Sequence, residues 1–352
     1  MSFDSMTSSP MGLLVRTLRV SLFVAALSSA SGCAPPPKPP ECPETKSAKL
    51  ATSSTLRPAV KTREPTPTRT DNKPHPTSRR RIARVSRYAS QQVGLTRQQK
   101  QSIRNHCPFG APALAPQWEH GPTQVVARGG YALRHSSVDL IPLWVCEGLT
   151  KAQLDGPLKR PESDLFKPDP ELPEGERSER SDYKRSGYDR GHLAPSADQT
   201  VDVQLQAETF FLSNVAPQVG VAFNRNVWKT LEGKARDWIR DAGSGYVITG
   251  PIFYDPKEDD PATADGFVDY FVIGANGVAV PTHFYKVVVV QRAGKTEAIG
   301  FVFENRRHES PHDFPSFIKS LDWIEEHTGL NFMPDLNPVD ERRIERQPSV
   351  MW

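Results

Sequence analysis

The residues best suited to chemistry form the run Asp189-Arg190-Gly191-His192, which puts a carboxylate, a guanidinium and an imidazole within four positions. A histidine that is neutral near pH 7 can take a proton from water. An arginine beside it can bind a phosphate and offset the negative charge that builds up during attack. These groups predict hydrolysis of a phosphodiester, with a purely structural buried histidine as the alternative.

A second group of polar residues lies downstream, where helical periodicity runs over 226–241. Asn224 stands just before that helix. Glu232 and Arg236 follow at offsets of eight and twelve residues, which place them on one broad face near the asparagine. Oxygen donors without a cysteine or histidine partner favour hydrated Mg²⁺ over zinc, with Mn²⁺ or another divalent cation as the alternative. The competing interpretation is that Glu232 and Arg236 form a surface ion pair.

Several stretches, in the same order along the chain, resemble one known family. The stretch 186–195 (SGYDRGHLAP) resembles the DRGH signature of the DNA/RNA non-specific endonucleases, which include the Serratia-type secreted nucleases and mitochondrial endonuclease G. The similarity continues through residues 211–218, 223–232, 249–253, 281–286 and 328–332. It covers roughly Cys107 to Leu336.

The resemblance implies a fold, an activity and a division of roles. The fold would be α+β, a ββα-metal (His-Me finger) nuclease with a mixed, largely antiparallel sheet flanked by helices. The activity would be metal-dependent cleavage of DNA and RNA with little sequence specificity. His192 would be the general base, Asn224 the direct protein ligand of a mostly hydrated Mg²⁺, and Glu232 would hold metal-bound water. Arg190 and Arg236 would contact the scissile phosphate.

Further residues receive supporting roles. By resemblance, Asp189 would fix the local backbone and the neighbouring arginine, and Asn214 would orient the histidine or its neighbours, with a structural role for Asn214 as the alternative. Arg160 lies at the approximate place of another phosphate-binding arginine. Lys184 and Arg185 either track the phosphate backbone of the substrate or are solvated surface charges.

Hydrophobic patterns predict the elements that must position these residues. A helix is predicted from Thr96 to about Asn105, because Gln99 has the capping-box spacing, and others at 226–241 and 316–328. Strands are predicted at 124–127, 131–134, 141–147, 210–213, 246–249, 270–274, 284–291 and 297–303.

The N-terminus has the pattern of an export signal. A short basic region precedes an apolar run, residues 20–27, that is too short to span a bilayer. Residues 30–33 (ASGC) resemble the lipobox of bacterial lipoproteins. Residues 1–33 are therefore interpreted as a signal peptide with a lipidated Cys33, which predicts an exported protein anchored to a bacterial membrane. Ordinary cleavage nearby, giving a secreted or periplasmic protein, is the alternative.

The segment 34–90 is rich in Pro, Lys, Arg, Thr and Ser, and is predicted to be a disordered basic tether because it cannot bury enough apolar surface to fold. The endonuclease domain is assigned to 91–345. Cys107 and Cys146 are the favoured disulfide pair because both lie in the folded part, although Cys42 leaves the pairing open.

The charge of the whole chain is nearly balanced, with 44 Lys and Arg against 41 Asp and Glu, so it does not by itself indicate a nucleic-acid partner. The leading hypothesis is an enzyme that acts on DNA and RNA. The alternatives are a non-catalytic extracellular lipoprotein that binds nucleic acid, and a structural lipoprotein whose tether spans the periplasm or wall. Whether the chain is a monomer or a homodimer stays open.

Overall fold

An antiparallel sheet of seven strands forms the centre of the fold. The computed structural model describes residues 78–83 (backbone only), 94–114, 121–310, 313–346 and 351–352. In spatial order, with numbers that follow the chain, the strands are β13 (Ile318–Lys319), β12 (Lys295–Glu304), β11 (His283–Arg292), β8 (Ser244–Ile252), β5 (Pro142–Thr150), β4 (Ala132–Ser136) and β3 (Thr123–Ala127).

Smaller sheets and helices surround it. β9 (Phe267–Ile273) pairs with β1 (Ser78–Ala83) and β10 (Val278–Val280), β2 (Ala113–Leu114) with β14 (Leu330–Asn331), and β6 (Asp189–His192) with β7 (Val215–Gln218). The α-helices are α1 (Arg97–His106), α2 (Lys151–Leu154), α3 (Arg180–Tyr183), α4 (Val203–Glu208), α5 (Lys229–Ala242), α6 (Leu321–Thr328) and α7 (Pro338–Arg346). 3₁₀ turns lie at Ser196–Asp198, Leu212–Asn214, Pro256–Asp259 and Phe314–Phe317.

The central sheet separates two hydrophobic cores, because side chains alternate between its faces along each strand. Helix α5 covers one face, here called the cleft face, where Val145, Val247 and Val288 are buried. On the opposite face, here called the rear face, Trp144 and Ile248 pack in a second core with α1 and α6. The β-branched run in β11 is buried from both sides, as its composition predicts.

The cleft face carries a ββα unit, formed where the chain leaves the sheet between β5 and β8. β6 and β7 pair antiparallel, with His192 opposite Val215. The segment Gly220–Trp228 then makes a π-helical turn, interrupted by extended backbone at Val221 and a φ of 66° at Ala222. α5 continues directly from this turn. The predicted α+β fold is therefore confirmed, and the helix predicted at 226–241 is present with a different start.

The strand predicted at 210–213 is wrong. Phe210 and Phe211 lie in a turn, the 3₁₀ helix Leu212–Asn214 follows, and one parallel bridge joins Phe211 to Lys167. A short buried apolar run does not distinguish a strand from a buried turn, which explains the error. The other predicted strands are present.

The helix predicted at 316–328 is present only in part. It begins at Leu321, because the Ser320 side chain accepts a hydrogen bond from the Trp323 N–H and caps it there. The residues before the cap form a 3₁₀ turn and β13 instead. Gly329 ends the helix in the left-handed conformation, as predicted.

β1 lies inside the segment 34–90, so the prediction that this whole segment is disordered is wrong at Ser78–Ala83. These residues pair antiparallel with β9, and Ser78 lies opposite Val272. Backbone hydrogen bonds to an open sheet edge do not require apolar side chains, the property on which the prediction rested. The rest of the predicted tether up to residue 90, and the signal peptide, lie outside the described residues.

The two cysteines predicted to form a disulfide are free thiols. Cys107 follows α1 and Cys146 lies in β5, and both are buried in the rear core. Burial and, to a smaller extent, the nearby Cys107 raise the pKa of the Cys146 thiol, so the predicted partners are neighbours without being covalently joined. Cys33 and Cys42 lie outside the described residues. Within the part of the chain that is described, no helix has the length and apolar character needed to cross a membrane.

Candidate active site

A cleft of about 640 Å³ opens beside β6 and the first turns of α5. It brings together seven of the predicted site residues: Arg160, Asp189, Arg190, His192, Asn224, Glu232 and Arg236. Its wall also includes Phe166, Pro195, Ser196, Ala197, Arg225 and Lys229. Residues far apart in sequence meet here because the β6–β7 hairpin and α5 fold against one another.

His192 stands at the end of β6 with its ring packed between two phenylalanines. The ring centroids lie 4.9 Å from Phe166 and 5.1 Å from Phe210. Its Nε2 atom has no hydrogen-bond partner among the described residues. Burial, together with the positive charges of Arg160 and Arg190, lowers the pKa of His192 to about 3. The imidazole is therefore neutral at physiological pH and has a nitrogen ready to accept a proton.

Two guanidinium groups flank the imidazole by resting on the same aromatic rings. Arg190 lies over Phe166 at 4.3 Å from the ring centroid, and Arg160 over Phe210 at 5.4 Å. Arg190 Nη1 also donates to Asp164 at 3.1 Å, which fixes its direction. This stacking holds positive charge at the rim of the cleft, where a phosphate can reach it.

The carboxylate of Asp189 does not bind Arg190, the neighbouring arginine that was its predicted partner. Its carboxylate accepts hydrogen bonds from the Asn224 side-chain amide at 3.0 Å and from Arg225 Nε at 2.7 Å, whereas Arg190 pairs with Asp164. Successive residues of a strand point in different directions, so an aspartate and its neighbouring arginine are poorly placed to pair.

The backbone near Asp189 is closely packed. A Cβ atom at Gly220 would lie 2.8 Å from the carboxylate of Asp189, and one at Gly191 would lie 2.1 Å from Oε1 of Gln218. A side chain at either glycine would displace the side chain that it meets, Asp189 at Gly220 and Gln218 at Gly191. Glycine at position 220 therefore lets the Asp189 carboxylate rest against the turn that carries Asn224.

The residues of the cleft fit a hydrated divalent cation. Because the Asn224 amide nitrogen donates to Asp189, its Oδ1 is the end that can bind a cation. The carboxylates of Asp189 and Glu232 also line the cleft, so the available donors are hard oxygens. Three close His, Cys, Asp or Glu ligands occur among the described residues only at Asp322, Glu325 and Glu345, outside this cleft. A cation in the cleft would therefore keep most of its water.

The predicted alternative, a Glu232–Arg236 ion pair, is wrong. Arg236 Nη1 donates instead to Asp198 at 2.6 Å, which leaves Glu232 for the cleft. Burial raises the pKa of Glu232 to about 7, a net value to which Asp198 adds and which Lys286, Arg236 and Arg160 reduce. The neighbouring charges therefore decide how much of this carboxylate is ionised at neutral pH.

Comparison with known proteins identifies the family. The sequence model of the DNA/RNA non-specific endonucleases matches residues 111–338, more than half of the chain. The chain belongs to the DNA/RNA non-specific endonuclease family. As a member it is a hydrolase of the nuclease class.

Relatives and a solved structure agree with this assignment. The chain is 38% identical to a nuclease of Syncephalastrum racemosum over 221 residues, which cover 61% of this chain and 69% of that one. It is 37% identical to mitochondrial endonuclease G of Homo sapiens over 229 residues, 65% of this chain and 73% of that one. The EndoG chain in the solved EndoG/EndoGI complex is 36% identical, with a TM-score of 0.61 over 67% of this chain and 93% of that one. The ββα-metal fold is shared.

Asn214, predicted among the catalytic residues of this nuclease, does not reach the cleft. It is fully buried, its Oδ1 accepts from the Ala194 N–H, and its Nδ2 donates to the carbonyls of Ala194 and Thr209, each at 2.9 Å. It therefore acts on the backbone just after His192. This is the structural alternative, and the amide supports the histidine without touching it.

Lys184 and Arg185, predicted to bind substrate, also lie outside the main cleft. Lys184 lines an adjoining cleft of about 590 Å³ that shares Asp189 and Arg190 with the first. Arg185 is exposed, has a φ of 59°, and lines neither cleft. Lys184 thus lies beside the main cleft, whereas Arg185 lines neither cleft, and the substrate-binding role of both residues stays a prediction.

Sequence reasoning missed several residues of the nuclease cleft. Arg225 and Lys229 line it, and their spacing of four residues beside Asn224 was a signal that could have found them. Asp164 and Phe166, which hold Arg190, come from a polar loop without periodicity, so nothing in the sequence pointed to them.

Proposed function

We propose that this nuclease is a metal-dependent endonuclease that hydrolyses the phosphodiester bonds of DNA and RNA with little sequence preference. The observation that carries the proposal is the neutral, buried imidazole of His192, whose Nε2 is unpartnered among the described residues. It shares one cleft with an amide oxygen that can bind a cation and with several guanidinium groups. A general base, a cation ligand and phosphate-binding cations are what this hydrolysis requires.

His192 is the proposed general base. Its Nε2 accepts a proton from the attacking water, and the water oxygen bonds to phosphorus. The P–O3′ bond breaks to leave a 5′-phosphate, and the departing O3′ takes up a proton from solvent water to become a 3′-hydroxyl. The low pKa of the free enzyme would make a weak base. A phosphate between Arg160 and Arg190 would offset their positive charge and so raise the pKa of the imidazole. Substrate binding would therefore make His192 a stronger base than it is in the free enzyme.

The arginines are proposed to bind and stabilise the phosphate. Arg190 and Arg160 approach from the aromatic side of the cleft, and Arg236 from α5. When bound, Mg²⁺, with Mn²⁺ as the alternative, would be held by Asn224 and would add positive charge beside the scissile phosphate. Glu232 would accept hydrogen bonds from the water around the ion. Contacts to phosphates rather than base edges account for the proposed lack of specificity.

The test is digestion of plasmid DNA and of RNA by the purified protein, with EDTA, and again after excess Mg²⁺ is restored. We expect cutting to stop with EDTA and return with Mg²⁺. His192→Ala should lower the rate by a factor of about 1,000, within the usual range for loss of a general base. His327→Ala on α6, outside the cleft, is the matched control and should cut like the wild type. Metal-independent cutting, or full activity in His192→Ala, would refute the mechanism.

We also propose that the enzyme acts outside the cytoplasm, attached to a membrane through Cys33. The support is the sequence pattern of residues 1–33 alone. Labelling of cells with a radioactive fatty acid tests it. The wild-type protein should carry label and Cys33→Ser should not. An unlabelled wild type that is still exported would indicate ordinary signal cleavage.

A further inference from the structure

A group of buried charged residues lies behind the cleft, and the chemistry proposed above does not use it. Glu147 in β5 and Lys286 in β11 are each 1% exposed, and Asp198 is 4% exposed. Each interacts electrostatically with Glu232 or Arg236 of α5. Buried ions destabilise a fold unless they are balanced, so a group this large calls for an explanation beyond packing.

Strand register places these residues under α5. Lys286 and Thr249 are opposite each other across the β11–β8 pair, and Val145 is opposite Thr249 across the β5–β8 pair. Glu147 lies two residues after Val145, so it points to the same face. That face is the one on which α5 packs. The charges therefore lie between the sheet and the helix that carries Glu232.

The contacts of Lys286 are few for a buried ammonium. Its Nζ donates to Thr249 Oγ1 at 2.7 Å and lies 5.0 Å from the centroid of a Trp228 ring. Both carboxylate oxygens of Glu147 lack hydrogen-bond partners within the described part of the chain. Among the described residues, Lys286 therefore interacts with the carboxylates of Glu232, Glu147 and Asp198 electrostatically and not through a dense hydrogen-bond shell.

The charges nearly balance as a set. Glu147, Asp198 and Glu232 are the acids, and Lys286 and Arg236 the bases. Burial raises the pKa of Glu147 well above its ordinary value, which favours its protonated form. With Glu147 protonated and both Asp198 and Glu232 ionised, two negative and two positive charges would remain. Burial lowers the pKa of Lys286, and the neighbouring carboxylates oppose that change.

We propose that Lys286 is a positioning residue for the reaction: from beneath the cleft it keeps Glu232 ionised and directed at the cleft, while Asp198 holds Arg236 in place. Five charged residues surround Glu232 in this arrangement: Lys286 from β11, Arg236 from α5, Asp198 from a 3₁₀ turn, Arg160 from the loop after α2 and Glu147 from β5. Lys286 is the cation that most favours the ionised form. The inference rests on the role of Glu232 in the proposed function.

The experiment compares Lys286→Met with wild type by the pH dependence of kcat on plasmid DNA at saturating Mg²⁺. Methionine keeps the length of the side chain and removes its charge. We expect the acidic limb of the kcat profile to move up by about one pH unit, since Glu232 loses its main cationic neighbour. Above that limb kcat should recover to within about threefold of wild type. Lys234→Met, also on α5, is the matched control and should leave the profile in place.

A second measurement does not depend on activity. The ¹³C carboxyl resonance of Glu232, assigned by its loss in Glu232→Gln, should titrate about one pH unit higher in Lys286→Met. If the wild type cuts no nucleic acid, the proposed function fails while this titration still tests the lysine.

The result that overturns the inference is a uniform loss of kcat in Lys286→Met with no change in the pH profile or in the Glu232 titration. That result would make Lys286 purely structural. If Lys286→Met does not fold, Thr249→Val removes the hydroxyl that accepts from Nζ at little change in volume. It should shift both measurements in the same direction by a smaller amount, and an unshifted Thr249→Val rejects the proposal.

Discussion

The two faces of the central sheet are made by the same strands and both bury a hydrophobic core, but the buried charged residues beneath α5 belong to the cleft face. In β11, Lys286 faces the charged residues beneath α5, whereas its neighbour Val287 lies in the rear core. β8 alternates in the same way: Thr249 accepts the lysine's hydrogen bond, and Ile248 packs among apolar side chains on the rear face. The cleft face thus buries charges that must be balanced, and the rear face buries apolar area that stabilises the fold.

Consecutive residues of one strand can therefore contribute to different properties: one to the chemistry of the cleft and the next to the stability of the fold. A change on the rear face should lower the free energy of unfolding and leave the chemistry intact. A change on the cleft face should alter the chemistry, and where it removes a buried apolar side chain it should lower the free energy of unfolding as well. Four substitutions or conditions test this separation, given from the largest expected effect to the smallest.

Ile248→Ala should destabilise the protein by about 3 to 4 kcal/mol, because a fully buried side chain in the rear core leaves a cavity. Urea unfolding measures the change, and kcat below the transition should equal that of wild type. Val247→Ala, one residue earlier and facing the cleft side, is the matched comparison and should lower both stability and kcat. If both variants changed kcat equally, the predicted difference between the two faces would be contradicted.

Arg190→Ala should reduce kcat/KM about 100-fold, or about 2.7 kcal/mol, because it removes a guanidinium held over Phe166 at the phosphate position. Unfolding by urea should be almost unchanged, since this arginine lies at the rim of the cleft. Arg104→Ala, in α1 against the rear core, serves as the control and should leave kcat/KM unaltered. A large loss of stability without loss of activity would contradict the assignment.

Low pH should lower the free energy of unfolding through two histidines, His192 in the cleft and His283 in β11. Burial lowers the pKa of His192 to about 3 and of His283 to about 4, below the unfolded value of about 6.5. The unfolded state therefore binds protons first, and stability is lost as the pH falls from about 6.5 toward the folded values. Each histidine should contribute a loss of about 1.6 kcal/mol between pH 6.5 and 5. His192→Gln and His283→Gln should each flatten the pH dependence of urea unfolding, and an unchanged slope would show that the histidine is solvated.

Thr96→Ala should cost about 1 kcal/mol, because it removes the capping box at the start of α1. The helix packs on the rear face, so nuclease activity should not change. Thermal unfolding and plasmid cutting, measured on the same preparation, check both points. A loss of nuclease activity in Thr96→Ala would mean that a helix on the rear face affects the chemistry of the cleft.

Much of the fold could be predicted because it depends on local patterns. The valines of β11 and the periodicity of α5 are such patterns, and both elements are present. The failures have physical causes as well. The turn at Ala222, with its φ of 66°, has no glycine to signal it, and β1 forms by backbone pairing that composition does not reveal.

The candidate site was predictable in its chemistry and less so in its partners. The motif placed His192 and Asn224 in one cleft, as the structure has them. It did not reveal that Asp189 holds Arg225, or that Asp164 holds Arg190. Such pairings depend on which side chains the hairpin and an irregular loop bring together in three dimensions. Sequence spacing carries that information only along a regular helix or strand.

The insertion of the whole cleft unit between two adjacent strands also has a kinetic consequence. β5 and β8 are hydrogen-bonded neighbours, yet everything from Lys151 to Gly243 lies between them along the chain. Pairing so distant in sequence is slow, whereas a short helix or hairpin forms quickly. We therefore expect α5 to form early during refolding, and the amides of the β5–β8 ladder to gain protection from hydrogen exchange last. Nuclease activity would then appear only after β5 and β8 have paired beneath the cleft.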